Sequence, residues 1–284
     1  MDQAPAIVAT DSLTRQLARR GRWTVTLQGG YLAATQTGAV GSHPRLHTRG
    51  KCKVFSTASR RRLIYRIARM NWQKLKYTKF ITLTYPDELS CRSIRRRTID
   101  RDTFHRMMEE YLGRQVAALW RTEWQVRKTG EIEGQPMPHV HIALFAEPFI
   151  PWQIVRNRWQ RAIGWKGYVR TEIELARDPG KTGRYCAKYM SEQDSLSLVI
   201  ASYLSRVCGR PWGIKRPKLI PWHLEKVIED VDPDVIVEAR ARAARRYPPI
   251  GQRANGGFTL LGDDVGKLYD AIEQMEWTAG RPGR

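Results

Sequence analysis

Two stretches near the middle of the chain alternate apolar and polar side chains with the period of a β-strand. In Lys79-Phe80-Ile81-Thr82-Leu83-Thr84-Tyr85 the alternation is strict, and Pro86-Asp87 ends it. Ile81 and Leu83 are expected to face a core, with Thr82 and Thr84 sharing the opposite face. The second stretch is Pro138-His139-Val140-His141-Ile142-Ala143-Leu144-Phe145. Side chains of a strand point alternately to its two faces, so Val140, Ile142 and Leu144 face the core. His139 and His141 then share the other face, about 7 Å apart. Two imidazoles on one face of a rigid strand are either a pair of metal ligands or the wet side of an amphipathic strand.

A third strand is expected over residues 120–126, where Glu123 and Gln125 fall on one face. A loop with Gly130, Gly134 and Pro136 joins it to the histidine strand, the geometry of an antiparallel hairpin. Sequence does not fix the register of such a pair. Glu123 is therefore either a third ligand beside the histidines or a surface glutamate.

The helical period accounts for much of the rest. Ser56 or Thr57 is expected to cap a helix reaching to about residue 75, with Leu63, Ile64 and Ile67 near one face. A basic loop over 91–101 leads to a helix from Asp102 or Thr103 to about 119. Another helix covers 152–163, with Pro151 in its first turn, and a strand covers 167–175. In a helix over 184–193, Tyr185 and Tyr189 are four apart and stack on one face with Lys188 beside them. That trio alone is either a reactive cluster or core packing with a snorkelling amine.

Nearer the ends the signals are weaker. A short helix is expected at 13–20, a strand at 23–27 closed by Gly29-Gly30, a loop at 33–41 and a short strand at 51–55. Further helices are expected at 196–206, from Trp222 to about 228, at 233–246 and at 263–275. The division this suggests is an N-terminal basic extension (1–50), a central domain (51–228) and a C-terminal helical extension with its tail (229–284).

Composition narrows the partner. The 284 residues carry a net charge of +21 and are 42% hydrophobic. Such a charge favours nucleic acid or an anionic membrane. No stretch of 18 apolar residues exists, so no transmembrane helix is expected, and the first residues lack the pattern of a signal peptide. The four cysteines are scattered, which fits reduced thiols in a cytoplasm better than disulfides or a zinc knuckle. Between Asp11 and Asp87 there is no acidic residue, while Lys and Arg recur and include the run Arg60-Arg61-Arg62. That reads as an electrostatic track for phosphates. Gly180-Lys181-Thr182 is not a Walker A loop, because position 175, where the motif needs glycine, is leucine.

Taken in order, these elements form a Thr-rich strand, a helix, a Glu strand, a His-x-His strand, a helix, a strand and a Tyr/Lys helix. That order resembles the HUH endonucleases, the rolling-circle replication initiators, over roughly residues 78–215. The motifs that carry the resemblance are Phe80-Ile81-Thr82-Leu83-Thr84-Tyr85, Pro138-His139-Val140-His141-Ile142 and Tyr185-Cys186-Ala187-Lys188-Tyr189. The Tyr-x-x-x-Tyr form enclosing a lysine is similar to the initiators of small single-stranded DNA phages, of microvirus and inovirus type, and of related plasmids.

The resemblance implies an α+β fold, ferredoxin-like or RRM-like, with a central antiparallel sheet, helices on one face, and N- and C-terminal helical extensions. It also implies a nickase. Tyr185 would attack an origin phosphodiester in single-stranded DNA, leaving a 5′-phosphotyrosine and a 3′-OH primer. Tyr189 would make the second attack, and Lys188 would lower a tyrosine pKa or steady the phosphate. Mg²⁺ or Mn²⁺ would be held by His139, His141 and Glu123. Arg60, Arg61, Arg62, Thr82, Thr84 and Arg184 are the expected DNA contacts. Host helicase and polymerase are the expected partners, the host bacterial cytoplasm is the expected location, and no membrane is involved.

Several other readings stay open. A non-catalytic single-strand-binding module would use the basic region with Trp72, Trp120 and Trp124 for stacking, but it leaves the ordered histidines and tyrosines unexplained. A single-tyrosine transposase shares the chemistry, and a Tyr189→Phe variant separates it. A histidine-triad hydrolase needs a histidine at position 143, which is alanine. A relaxase needs a third histidine and an N-terminal tyrosine, neither of which is present.

Overall fold

The structure, a computed structural model, describes residues 22–37, 55–75, 77–89, 93–128, 133–145, 149–176, 182–183, 186–187, 190, 210–246, 258–261 and 264–278. The chain divides into two compact units, Thr48–Pro221 and Met1–His47 together with Trp222–Arg284.

The first of these units is built on a five-stranded sheet. Its strands are β3 (Thr78–Thr84), β4 (Ala117–Val126), β5 (Pro136–Phe145), β6 (Thr171–Leu175) and β7 (Trp212–Lys215), in the order β6-β3-β5-β4-β7. Every neighbouring pair is antiparallel. The alternation read from sequence holds: Ile81, Leu83, Val140, Ile142 and Leu144 are at most 3% exposed. They pack under α2 (Ile94–Leu112) and α3 (Trp152–Ile163), through Phe104, Met108, Val155 and Trp159 among others. Trp159 is fully buried, meets Tyr85 and Phe104 edge-on, and donates its indole N–H to the Thr84 carbonyl at 2.9 Å. Burial of a side chain this large, truncation of which costs about 3–5 kcal/mol, pins α3 to the end of β3.

The α+β class and the central antiparallel sheet are as expected, but the placing of helices on one face holds only for α2 and α3. The helix α1 (Thr57–Arg69), capped by Ser56, lies on the other face. There Phe55, Leu63 and Ile67 meet Leu119 and Ala143 of the sheet, together with Cys186 and Met190. The small Ala143 on β5 leaves room for that second layer, and α1 stops at Arg69 rather than near residue 75. A second difference is the start of α2. Residues 94–101, expected as loop, are helical because the Ser93 hydroxyl accepts the Arg96 N–H at 3.2 Å and Arg97 and Asp100 find buried positions.

The other unit differs more from expectation. β1 (Arg22–Gln28) and β2 (Tyr31–Thr37) form a hairpin across Gly29-Gly30, where Gly29 adopts φ +58°. The stretch from residue 33, expected as loop, is therefore strand as far as Thr37. β8 (Lys226–Val231) replaces the helix expected after Trp222, and β9 (Phe258–Leu261) completes a sheet of order β8-β1-β2-β9. Helices α4 (Pro233–Arg246) and α5 (Val265–Thr278) contribute Ile236, Ala239 and Ile272 to a core with Trp23, Val25, Leu32 and Ala34. Instead of two separate helical extensions, residues from both ends of the chain share one α+β core, since β1 and β2 alone cannot bury their apolar face. The helices expected at 13–20 and 196–206 lie outside the described residues, as does most of the strand expected at 51–55. Among the described residues no helix is long and apolar enough to cross a membrane.

Candidate active site

The centre of the histidine face is set by register. β5 lies between β3 and β4, and the pairs Thr82–His141, Thr84–His139, Arg121–His141 and Glu123–His139 sit directly opposite one another. Opposite residues of a ladder share a face, so both threonines, both histidines and Glu123 converge. The register left open by the sequence thus places Glu123 with the histidines.

Each imidazole is held from one side by a hydroxyl. Thr82 Oγ1 lies 3.2 Å from His141 Nδ1, and Thr84 Oγ1 lies 3.1 Å from His139 Nδ1. Across the site, His141 Nε2 is 2.6 Å from Glu123 Oε2. With the proton on Nε2 this is a short charge-assisted hydrogen bond, and Nδ1 then accepts from Thr82. A threonine hydroxyl both donates and accepts, so it also suits the tautomer in which Nδ1 carries the proton and Nε2 keeps its lone pair.

The electrostatics favour neutral imidazole and ionised carboxylate. Burial, followed by the neighbouring His141, brings the His139 pKa down to about 4. His139 is thus uncharged at neutral pH, the form in which an imidazole binds metal. Burial alone would raise the Glu123 carboxyl, but the hydrogen bond with His141 and the charge of Arg121 outweigh it and hold the pKa below its usual value. Arg121 is 1% exposed, with its guanidinium 4.7 Å from the Phe55 ring.

These side chains line a groove of about 540 Å³. Arg127, Lys128 and Arg170 bring positive charge to it, and Glu172 and Glu174 of β6 negative charge. Arg127 is tied to Asp87, and Arg170 to Glu172. Arg121, Arg127, Arg170, Glu172 and Glu174 were missed in the sequence. The signal for Arg121 was its spacing of two from Glu123. For the two glutamates it was their alternation with Thr171 and Ile173.

Two imidazoles and a carboxylate form a donor set suited to Mn²⁺, and to Mg²⁺ through the carboxylate. In the described geometry Glu123 and His141 bond to each other, and among the described residues no group of three or more His, Cys, Asp or Glu is arranged around a common point. To hold an ion, the Glu123–His141 bond must open.

The remaining expected site residues divide into two groups. Arg61 and Arg62 are exposed and Arg60 is half-buried in the first turns of α1, and none of the three lines the groove. Arg184, Tyr185, Lys188 and Tyr189 lie outside the described residues. Their neighbours in sequence are helical: Cys186, fully buried, and Met190, 1% exposed, pack on Ala143 and Leu119. Met190 also lines the histidine groove.

Residues 78–194 match a family model described as a replication-associated protein of the ORF2 type. The match starts at β3, ends just past Tyr189 and encloses all three motifs, and it bears out the likeness to rolling-circle replication initiators. No curated protein and no solved structure matches the chain.

Proposed function

We propose, from the replication-associated region and the groove it encloses, that this protein is an HUH-type nickase that opens single-stranded origin DNA for rolling-circle replication. The observation that carries the reading is the row Thr84–His139–Glu123 with Thr82–His141 beside it, in a groove that Met190 also lines. Tyr189 directly precedes Met190, and Tyr185 directly precedes the buried Cys186.

In this reading the Tyr185 oxygen forms a bond to a backbone phosphorus while the bond to the 3′ oxygen breaks. The proton lost by tyrosine ends on that oxygen, which leaves a 5′-phosphotyrosine and a 3′-OH. Tyr189 attacks in the same way when the round ends, and the strand is rejoined. Lys188 stabilises the tyrosinate or the phosphate. His139, His141 and Glu123 would hold Mg²⁺ or Mn²⁺, which when bound offsets charge on the non-bridging oxygens. Thr82 and Thr84 orient the imidazoles. A host polymerase extends the 3′-OH and a host helicase unwinds ahead of it, which places the reaction in the host cytoplasm.

A covalent-adduct assay tests this. Protein is mixed with single-stranded oligonucleotides from its own replicon and Mn²⁺ or Mg²⁺, then run on a denaturing gel. A shifted band that is lost with EDTA and in Tyr185→Phe is the expected result. A band lost only in Tyr189→Phe exchanges the two roles. Tight DNA binding with no adduct under any condition would overturn the nickase reading in favour of a binding module.

A further inference from the structure

On the sheet face turned away from the histidines, a second cavity of about 340 Å³ opens between α2, β4 and β7. Trp120, Thr122 and Val140 line it, and these positions alternate with Arg121, Glu123, His139 and His141. Trp120 lies across from Gly213 of β7. A Cβ on Gly213 would come within 2.8 Å of the indole, so glycine is what lets the ring lie there. The Arg101 guanidinium sits 3.5 Å from the Trp120 ring centre.

The lining is strongly cationic. Arg97, Arg101, Arg210 and Lys215 contribute four positive charges, and Asp102 is the one carboxylate among the lining residues. Arg101 and Lys215 share it, at 3.1 Å and 2.9 Å. Four cations less one carboxylate leave an excess of three positive charges. Burial, and further down the order of causes the charge of Arg210, depress the Arg101 pKa against the pull of Asp102. An arrangement of this kind is relieved by an anion.

The lining also indicates which anion. Arginines, a lysine and the hydroxyls of Thr98 and Thr122 are phosphate ligands. Arg101 already covers a face of Trp120, which disfavours stacking of a base there and leaves the backbone as the part recognised. The chain's charge of +21 and its replication-associated region make DNA the source of the phosphate.

We propose that this cavity binds a backbone phosphate of DNA, independently of sequence, at a point outside the histidine groove. The proposal requires that the protein bind DNA but not that it cut it. A strand seated in the groove must then either pass around the β7 edge to reach the cavity, or a second DNA segment fills it.

The test is fluorescence anisotropy on the full chain, without added metal, using a short single strand and a long one over a range of salt. Arg210→Gln/Lys215→Gln is expected to weaken binding of the long strand about tenfold and to lower the slope of log K against log salt by about one per lost contact. The short strand should bind nearly as before. Asp102→Asn, which removes the carboxylate, should act in the opposite direction, with tighter binding and a steeper slope. Unchanged affinity and slope for the long strand in both variants overturns the proposal, as does an equal loss on short and long strands. ATP is the control for a free nucleotide. Tryptophan quenching by ATP that disappears in the double variant, with long-strand affinity intact, would assign the cavity to nucleotides and also overturn it. Because no cutting is measured, failure of the nickase reading leaves this result standing.

Discussion

Glu123 and His141 are joined by a 2.6 Å contact between Oε2 and Nε2, although in the ladder it is His139 that stands opposite Glu123. The carboxylate reaches diagonally along β5 to the second histidine. If the pair is the core of a metal site, Glu123→Gln keeps size and burial but removes the charge. It should weaken Mn²⁺ binding by about tenfold or more, with melting temperature changed little. Calorimetric titration with Mn²⁺ checks this, and equal affinity in variant and parent would remove Glu123 from the ligand set.

Thr84 is 4% exposed and its hydroxyl meets His139 Nδ1. Thr84→Val preserves the shape of the side chain and β-propensity but leaves the imidazole without that partner. The expected stability loss is about 1 kcal/mol. The expected loss of metal affinity is larger, about 10–100-fold, because a misoriented ligand is a poor one. Thr84→Ser should recover most of it. If Ser and Val behave alike, the hydroxyl does not position the ring.

Cys186 is fully buried, and burial pushes its thiol pKa far above the ordinary value. Because the thiolate is the reactive species, iodoacetamide should leave Cys186 unlabelled in native buffer and modify it readily in guanidinium. Peptide mass spectrometry reads the site directly. Native labelling at the rate of an unfolded thiol would mean that this residue does not pack on Leu119 and Ala143 as described.

His105 reports on acid stability. It is 6% exposed and its Nε2 donates to the Val116 carbonyl at 3.0 Å. Burial lowers its pKa, although Glu109 opposes the shift. The folded-state pKa is thus below the unfolded value of about 6.5. As pH falls through that value the unfolded chain takes up the proton first, so this group's contribution is complete above about pH 6.5 and is lost below it. His105→Gln, which keeps a donor for Val116, should show a shallower fall in melting temperature than the parent between about pH 7.5 and pH 5.5. Parallel curves would exclude His105 as a source of the acid sensitivity.

Much of the central unit was legible because strand alternation is a local property. The positions of Ile81 and Leu83 against Thr82 and Thr84, and of Val140 and Ile142 against His139 and His141, follow from the pleat alone. The pairing of the His-x-His strand with the Glu strand followed from a short connection. The sequence-level α2 began too late because the basic run over 94–101 looks like loop until Arg97 and Asp100 are seen to be buried.

The amino-acid order by itself determined which residues share a face of each strand, which helices are amphipathic, and that three motifs stand in the order of a replication initiator. It also determined a charge that calls for a polyanion. Tertiary structure alone decided the register that sets Glu123 opposite His139, and the threonine hydroxyls on both imidazoles. It also decided the arrival of Glu172 and Glu174 from β6 and the closing of β8 and β9 onto β1 and β2. Each of these depends on contacts between residues far apart in sequence, where pleat and helix period carry no information. A one-residue slip would leave every local pattern intact while turning a whole strand over. The cationic cavity at Trp120 is the same kind of fact: Arg101, Gly213 and Lys215 carry no signal in the chain and form a site only where α2, β4 and β7 meet.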